Sequence, residues 1–444
     1  MDNVNNNEVL DQAIDSKFFD ILRIMLYSLI GIIIFFIPVK IDGKVKTLLF
    51  HMAYKVQIQA DSFVKIYILI YVTLGCIKGL IKYNKKKFSR EKLLAYSKIL
   101  SILILIDILY SKNTSVFFNQ NILFLAEETI LNIAIILPLS AIFMPFIIEY
   151  GLLDIVEAYC HKFMKKYFNM SGKTILNILF YIFTDCFCGY FMTEKLYKDG
   201  KLRQNEACSI ILNFSILSIP MIIYTSEELN LNKLHLILIS LIILVITNII
   251  LSKSYPLNKK KKSYYIKTTY KEKYYKTDKL KNSLQKCLEN KTDKSIFKHI
   301  TSNLEEAIYK LTYLIPNIIL TLFIINILIN NELIIYILNQ LTNPIYEILK
   351  TNNQNILNTF ILNVFCNNAM AIDCVYINTS LEIKFLIGII SILSCTSITT
   401  SIIYIKNSLI PINNKEFIIS YIERIIIIVF IYFLLYYFYI GYIK

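Results

Sequence analysis

Seven stretches of this chain are apolar for roughly 18 residues or more, close to the ~20 residues a helix needs to cross a bilayer. They run Ile21 to Val39, Phe63 to Ile81, Leu93 to Tyr110, Ile122 to Ile148, Leu234 to Leu251, Leu304 to Ile329 and Phe417 to Ile443. A soluble core accommodates one such block; it does not accommodate seven. The blocks are apolar on every face, whereas outer-membrane strands alternate polar and apolar over ~10 residues, so a β-barrel is excluded. The mean hydropathy of +0.53 and the 56% hydrophobic content agree with a membrane chain. The sequence therefore predicts an all-α polytopic integral membrane protein. Residues 1–20 are polar, with Glu8, Asp11, Asp15 and Asp20, and no cleavage site follows the first apolar block. Ile21 to Val39 is read as a retained span.

The net charge of +15 is concentrated in one place. Between Lys253 and Lys298 fifteen lysines face four acids, which puts +11 of the +15 in a single segment. The positive-inside rule makes it a cytoplasmic loop, with docking on anionic lipid headgroups as an added role. The tyrosines there (Tyr264, Tyr265, Tyr270, Tyr274, Tyr275) form no nucleic-acid module. The nine cysteines are irregularly spaced within apolar stretches and read as free thiols rather than a disulfide framework. The few arginines (Arg23, Arg90, Arg203, Arg424) carry little chemistry in this reading, and the histidines (His51, His161, His235, His299) form no constellation.

Charge parity sets the expected topology. The cluster Lys82 to Lys92 and the Lys253 to Lys298 loop both belong inside, which places the N-terminus in the cytoplasm and the loop from Lys40 to Ser62 outside. Were Thr174 to Met192 a full crossing, the lysine-rich loop would fall outside. Residues 174–198 are therefore expected to enter and return as a re-entrant hairpin. Its tip, Thr184-Asp185-Cys186-Phe187-Cys188-Gly189, suits broken backbone buried in protein. Continuing, Asn205 to Tyr224 and Leu234 to Leu251 cross. A second hairpin is expected at 356–377, and Phe385 to Ile405 is a further crossing. The total is about nine spans plus two hairpins.

The two halves match at an offset of about 180 residues. Leu137-Pro138 corresponds to Ile315-Pro316, Ile182 to Asp185 to Val364 to Asn367, and Ile222 to Tyr224 to Ile402 to Tyr404. Three crossings per unit would insert the second upside down, giving two inverted repeats, an architecture of secondary transporters. The expected organisation is a cytoplasmic segment 1–20, a three-span region 21–121, a first repeat 122–252, a basic loop 253–303 and a second repeat 304–444.

Three stretches carry a family resemblance: FFIPVKIDGK (Phe35 to Lys44), ILPLSAIFMPFIIEYGLLDIVE (Ile136 to Glu157) and GYFMTEKLYKDGKLRQNEACSIILNFSILSIP (Gly189 to Pro220). They resemble the YjiH-type membrane proteins with a nucleoside-recognition, or Gate, domain, a family related to concentrative nucleoside transporters and spore-maturation membrane proteins. The resemblance runs over nearly the whole chain. It implies a bacterial plasma-membrane transporter whose paired hairpins hold a small polar solute at mid-membrane. The chain departs from the family pattern at both tips, with Asp185 and two cysteines in the first and Asn367-Asn368 in the second.

The candidate solute-binding residues are Thr184 and Asp185 at the first tip, Asn213, Ser215 and Ser218 before Pro220, and Asn363, Asn367, Asn368 and Asp373 in the second hairpin. Ser394, Thr396 and Ser397 are their counterparts in the second broken span, along with Thr399 and Thr400. An acid at membrane depth calls for a cavity or a partner, and Asp185 serves either a cation or solute site or a helix cap. Pro220 frees a backbone carbonyl beside its polar neighbours, which otherwise serve inter-helix hydrogen bonding. Cys186, Cys188 and Cys366 are a soft-metal set only if they converge; otherwise they are structural thiols. No phosphate loop, HExxH or nucleophile elbow is present, so no enzyme activity and no cofactor are expected, apart from a coupling cation, Na+ or H+. The expected partners are a small polar solute and membrane lipid, with a homo-oligomer also compatible and no nucleic acid. A non-transporting assembly partner, as in spore formation, and a metal-ion pathway are the alternatives.

Overall fold

The computed structural model describes residues 2–84, 90–111, 115, 117–118, 120–215, 218–266, 278–289, 295–329, 331, 336, 340, 381–393 and 398–441. These form an almost wholly helical membrane protein. Among the described residues six helices are long and apolar enough to cross a membrane: Phe19–Phe36, Asp61–Ile81, Thr129–Ile148, Lys233–Leu251, Ile296–Ile324 and Asn414–Leu435. Their outward faces are apolar. Ile66, Ile70, Leu74 and Ile77 project from one helix, and Ile422, Ile426 and Phe430 from another, all exposed at helical spacing. Polar groups such as Asn213, Ser391 and Arg424 are buried instead. An apolar exterior around polar interior groups is what a lipid solvent demands.

Helix α1 (Asp2–Phe36) leads into a two-stranded hairpin, β1 (Pro38–Ile41) and β2 (Lys44–Thr47), and then α2 (Leu48–Gln59). The 40–62 segment is thus an ordered hairpin and helix rather than a loop. His51 Nε2 lies 2.8 Å from the Val39 carbonyl oxygen and ties the two together. Helices α3 (Asp61–Asn84), α4 (Arg90–Tyr110) and α5 (Gln120–Phe143) follow, then a short α6 (Pro145–Ile148) and the amphipathic α7 (Leu152–Phe168).

Residues 174–198 fold as two short helices, α8 (Thr174–Phe183) and α9 (Cys186–Lys198). At 1.5 Å per residue they are ~15 and ~20 Å long, short of a ~30 Å hydrocarbon core. They lie antiparallel: Asn177 Nδ2 donates to Thr193 Oγ1 at 3.0 Å, and the Tyr181 hydroxyl lies 3.2 Å from the same oxygen. Gly189 makes this possible, since a Cβ there would meet the Tyr181 ring at 2.5 Å. Both feet meet at Glu206. Its Oε1 accepts from Ser171 N at 2.7 Å, and its Oε2 from Arg203 N at 2.9 Å.

Next come α10 (Gln204–Phe214), α11 (Ile219–Glu228) and α12 (Lys233–Leu251). The basic segment 253–303 contains more structure than a loop. It includes a helix, α13 (Lys279–Glu289), docked on α7, and it ends inside α14 (Ile296–Ile329), which starts eight residues before the expected span. The last described elements are α15 (Leu381–Leu393), α16 (Ile398–Lys406) and α17 (Asn414–Gly441).

One helix break is described: α10 stops at Phe214 and α11 starts at Ile219. The corresponding residues 394–397, between α15 and α16, lie outside the described residues. Helices α5 and α14, which carry Pro138 and Pro316, pack against each other, as do α12 and α17. Both pairs run antiparallel. Asn326, late in α14, donates to the Phe117 carbonyl just before α5 at 2.6 Å, and Ser254, after α12, donates to Glu423 in the first half of α17 at 3.1 Å.

Each internal proline strips a hydrogen bond from the carbonyl four residues earlier. Those carbonyls belong to Ala134 and Thr312, and α3 meets both. The Tyr67 hydroxyl donates to the Ala134 oxygen at 3.5 Å, and Gly75 is pressed so close to Thr312 that a Cβ would lie 1.7 Å from its oxygen.

Candidate functional site

The first hairpin tip is a capped helix break. Asp185 is extended (φ −133°, ψ 155°) and its Oδ1 accepts from Phe187 N at 2.8 Å, forming the N-cap of α9. Asp185 as a whole residue is half-buried. Thr184 is fully buried and its hydroxyl donates back to the Phe180 carbonyl. The tip packs on α5 near its proline, with Cys188 Sγ 3.9 Å from the Ile136 carbonyl oxygen. Of the cap and cation or solute readings of Asp185, the observed hydrogen bond is the cap.

The break in the α10–α11 helix is the second cluster. Ser215 leaves helical geometry (ψ 80°), and its hydroxyl donates to the Ile211 carbonyl at 2.7 Å. Ser218 is the extended N-cap residue of α11 and is half-buried. Asn213 is completely buried, and among the described residues neither its amide nitrogen nor its amide oxygen has a hydrogen-bond partner. An unsatisfied buried amide costs about 1–3 kcal/mol, so one retained in a core calls for a ligand or water to satisfy it. Helix α12 likewise buries polar side chains, Ser240, Thr247 and Asn248.

Arg424 sits at this break. It is 2% exposed in the middle of α17, and it donates to the Leu393 carbonyl at 3.4 Å and to the Leu212 carbonyl. The Leu212 carbonyl lies in the last turn of α10, where carbonyls lack partners within the helix. One guanidinium therefore ties α17 to both α10 and α15. The sequence assigns Arg424 little chemistry; in the structure it is buried and ties α17 to two neighbouring helices. Its signal was present as a lone cation within an apolar block, IERIIII, which calls for a partner.

A third cluster lies at the end of the bundle bearing the basic loop. An open recess of about 500 Å³ is lined by Lys195, Lys198, Glu305, Glu306, Tyr309 and Asn407, among others. At its floor Glu194 of α9 takes three bonds. Its Oε2 accepts from Lys310 Nζ of α14 at 2.5 Å and from the Tyr404 hydroxyl of α16 at 3.0 Å, while its Oε1 accepts from Leu409 N at 3.3 Å. The Lys310 ammonium lies over the Tyr404 ring at 5.1 Å, and the Tyr190 hydroxyl donates to Ser401 at 2.9 Å. Sequence reasoning missed Glu194 and Lys310. Both are charges inside apolar segments, FMTEKL and IYKLTYLIP, and the rule that singled out Asp185 applied equally to them.

The remaining predicted residues (Asn363, Asn367, Asn368 and Asp373 in the second hairpin, with Ser394, Thr396 and Ser397) lie outside the described residues, as do the 356–377 segment itself and Cys366. Among the described residues no three His, Cys, Asp or Glu side chains gather as a metal cluster.

No family model and no solved structure matches the chain. A stretch of 128 residues is 26% identical to an uncharacterized protein of Alkalihalophilus pseudofirmus, and the match spans 28% of this chain and 28% of that protein. The fold and the geometry of the three clusters make the chain a helical membrane protein whose polar groups are gathered inside the bundle.

Proposed function

We propose that the chain is a secondary transporter of the Gate-domain type, moving a small polar solute such as a nucleoside or nucleobase across a bacterial plasma membrane. The observation that carries this reading is the buried helix break between α10 and α11, at which Arg424 donates to the Leu212 carbonyl. Irregular backbone at membrane depth is tolerated only where it is buried in protein or lines a polar cavity, and broken helices in paired repeats surround the solute in many transporters. Antiparallel packing of α5 on α14 and of α12 on α17 supports an inverted relation between the halves. In this reading about nine spans and two hairpins make up the bundle, with the basic loop and the N-terminus in the cytoplasm.

The solute sits at the break, where the Asn213 amide needs partners. The recess above Glu194 and Lys310 is then the cytoplasmic vestibule, and their ion pair holds the first hairpin against α14 and α16. Equilibrium binding to the purified protein, screened over nucleosides, nucleobases and divalent metals, tests the proposal. Saturable binding of an uncharged solute, lost in Asn213→Leu, is the expected result. Binding of a metal alone would replace it with an ion pathway, and no binding across the screen would favour an assembly role.

A further inference from the structure

We propose that α7 is an interfacial helix whose outer face binds anionic phospholipid headgroups of the membrane in which the protein sits. The inference rests on the fold and holds whether or not the chain moves a solute. The apolar span Thr129–Ile148 ends just before α7 begins at Leu152. Gly151 makes the turn between them with φ +87°, and a Cβ there would meet the Cys287 sulfur at 2.6 Å. So short a connection keeps the start of α7 at the end of a span, where hydrocarbon gives way to headgroups.

The two sides of the helix fit that level. Leu152, Leu153, Ala158, Met164 and Phe168 are buried in the bundle. Tyr159, Phe163 and Tyr167 follow at four-residue steps and so share a face, and they are 53%, 48% and 39% exposed. A contiguous exposed aromatic patch marks an interaction surface, and tyrosine is enriched at headgroup level. Lys162 and Lys166 stand three residues after Tyr159 and Phe163, on one edge of this stripe, with Lys165 beside them; all three are exposed. Lys166 Nζ lies 5.0 Å from the Tyr167 ring centroid, and Lys279 Nζ of α13 lies 5.7 Å from that of Tyr159. The two acids of α7, Asp154 and Glu157, are engaged by Lys286 of α13, and the exposed Asp278 offsets Lys279 in part. The face thus carries a positive edge along an aromatic stripe, the pattern of a helix lying on an anionic bilayer surface. A phospholipid supplies both halves of the match at once, its phosphate for the lysines and the adjoining acyl chain for the rings.

The chain has no tryptophan, so a single introduced one reports alone. The test reconstitutes full-length Phe163→Trp in phosphatidylcholine vesicles carrying bromine either near the headgroup or near the end of the acyl chain. Fluorescence quenching is expected to be stronger from the shallow bromines, whereas Ile426→Trp, on the exposed face of α17, should be quenched more by the deep ones. Brominated phosphatidylglycerol is then compared with brominated phosphatidylcholine, each as the same minority fraction in phosphatidylcholine. The anionic lipid is expected to quench Phe163→Trp about threefold more efficiently, the scale of a lysine's attraction to an anionic surface. Adding Lys162→Gln, Lys165→Gln and Lys166→Gln should bring that ratio close to one and leave the shallow quenching in place. Water-like emission with no quenching from either depth would overturn the proposal and leave the stripe to a soluble partner. Equal quenching by the two lipids in the lysine-bearing protein would overturn it too, as would a preference that survives loss of all three lysines. Tyr159→Trp and Tyr167→Trp repeat the measurement at the ends of the stripe, so the outcome does not hang on one variant folding.

Discussion

Glu194 and Lys310 meet at 2.5 Å across the interface between the first helical hairpin and α14, and both side chains are about nine-tenths buried. Removing one member of a buried pair leaves an uncompensated charge and typically costs about 3–5 kcal/mol. Lys310→Met and Glu194→Gln should therefore each lower thermal stability strongly. The double variant should recover much of the loss. Losses that simply add would show that the two residues are not coupled. In the transporter reading the double variant also loosens the vestibule, so it should bind solute yet move it with altered rate.

Asn213→Leu separates stability from function. Replacing a buried, unpartnered amide by an apolar group of similar size removes a penalty of about 1–3 kcal/mol. The variant should melt at a higher temperature than wild type and lose solute binding. A fall in melting temperature would mean that the amide has structural partners after all.

Gly75→Leu should be among the most damaging substitutions in α3. The added Cβ would lie 1.7 Å from the Thr312 carbonyl oxygen, a backbone atom of α14 that cannot turn aside. Helix α3 must move bodily, at a cost of about 3 kcal/mol or more. Yield and melting temperature of the purified variant measure this; tolerance would show that α3 does not pack at that depth.

The docking of α13 on α7 has a defined pH window. Lys286 Nζ lies 2.7 Å from Asp154 and 3.3 Å from Glu157. Burial lowers its proton affinity, but the two carboxylates outweigh this and the net shift is upward. A raised lysine contributes stability that is present below its ordinary value, ~10.4, and is lost as pH rises through the folded one. Glu149, 3.0 Å from Lys201, behaves oppositely. Burial pushes its carboxyl up, the lysine pulls it down further, and its contribution is lost as pH falls through a value below the ordinary ~4.3. Melting temperature should be flat between these limits and fall outside them.

Cys287, next to Lys286, reports the same docking. Burial, with the Asp154 carboxylate beside it, pushes its thiol up to about 12, so it should resist thiol reagents at neutral pH. Lys286→Ala should free α13 and make Cys287 reactive, read by mass spectrometry after timed labelling. Equal protection in both proteins would show that the ion pair does not hold the helix.

Cysteines placed at Lys198 and Lys261 should label from the same side of the membrane. Both lie at the end of the bundle where Asn205 N donates to the Lys261 carbonyl at 3.1 Å, beside the foot of the hairpin at Arg203. In the proposed topology that side is the cytoplasm, so neither should react with an impermeant reagent in intact cells.

Membrane residence was legible in the sequence because it depends on one summed quantity, apolar residues per ~20-residue block, that needs no knowledge of neighbours. The break at Ser215 was legible too, since Pro220 and its polar neighbours act locally on the backbone. Pairings were not legible. Nothing local ties Glu194 to Lys310 or Tyr404, or Arg424 to carbonyls 212 and 31 residues away, since those partners are chosen by how the helices pack. The sequence by itself determined that the chain is a bundle of membrane helices with polar interruptions. Only the tertiary structure decided which interruptions meet, because in lipid each buried charge and each orphaned carbonyl must find its partner on another helix.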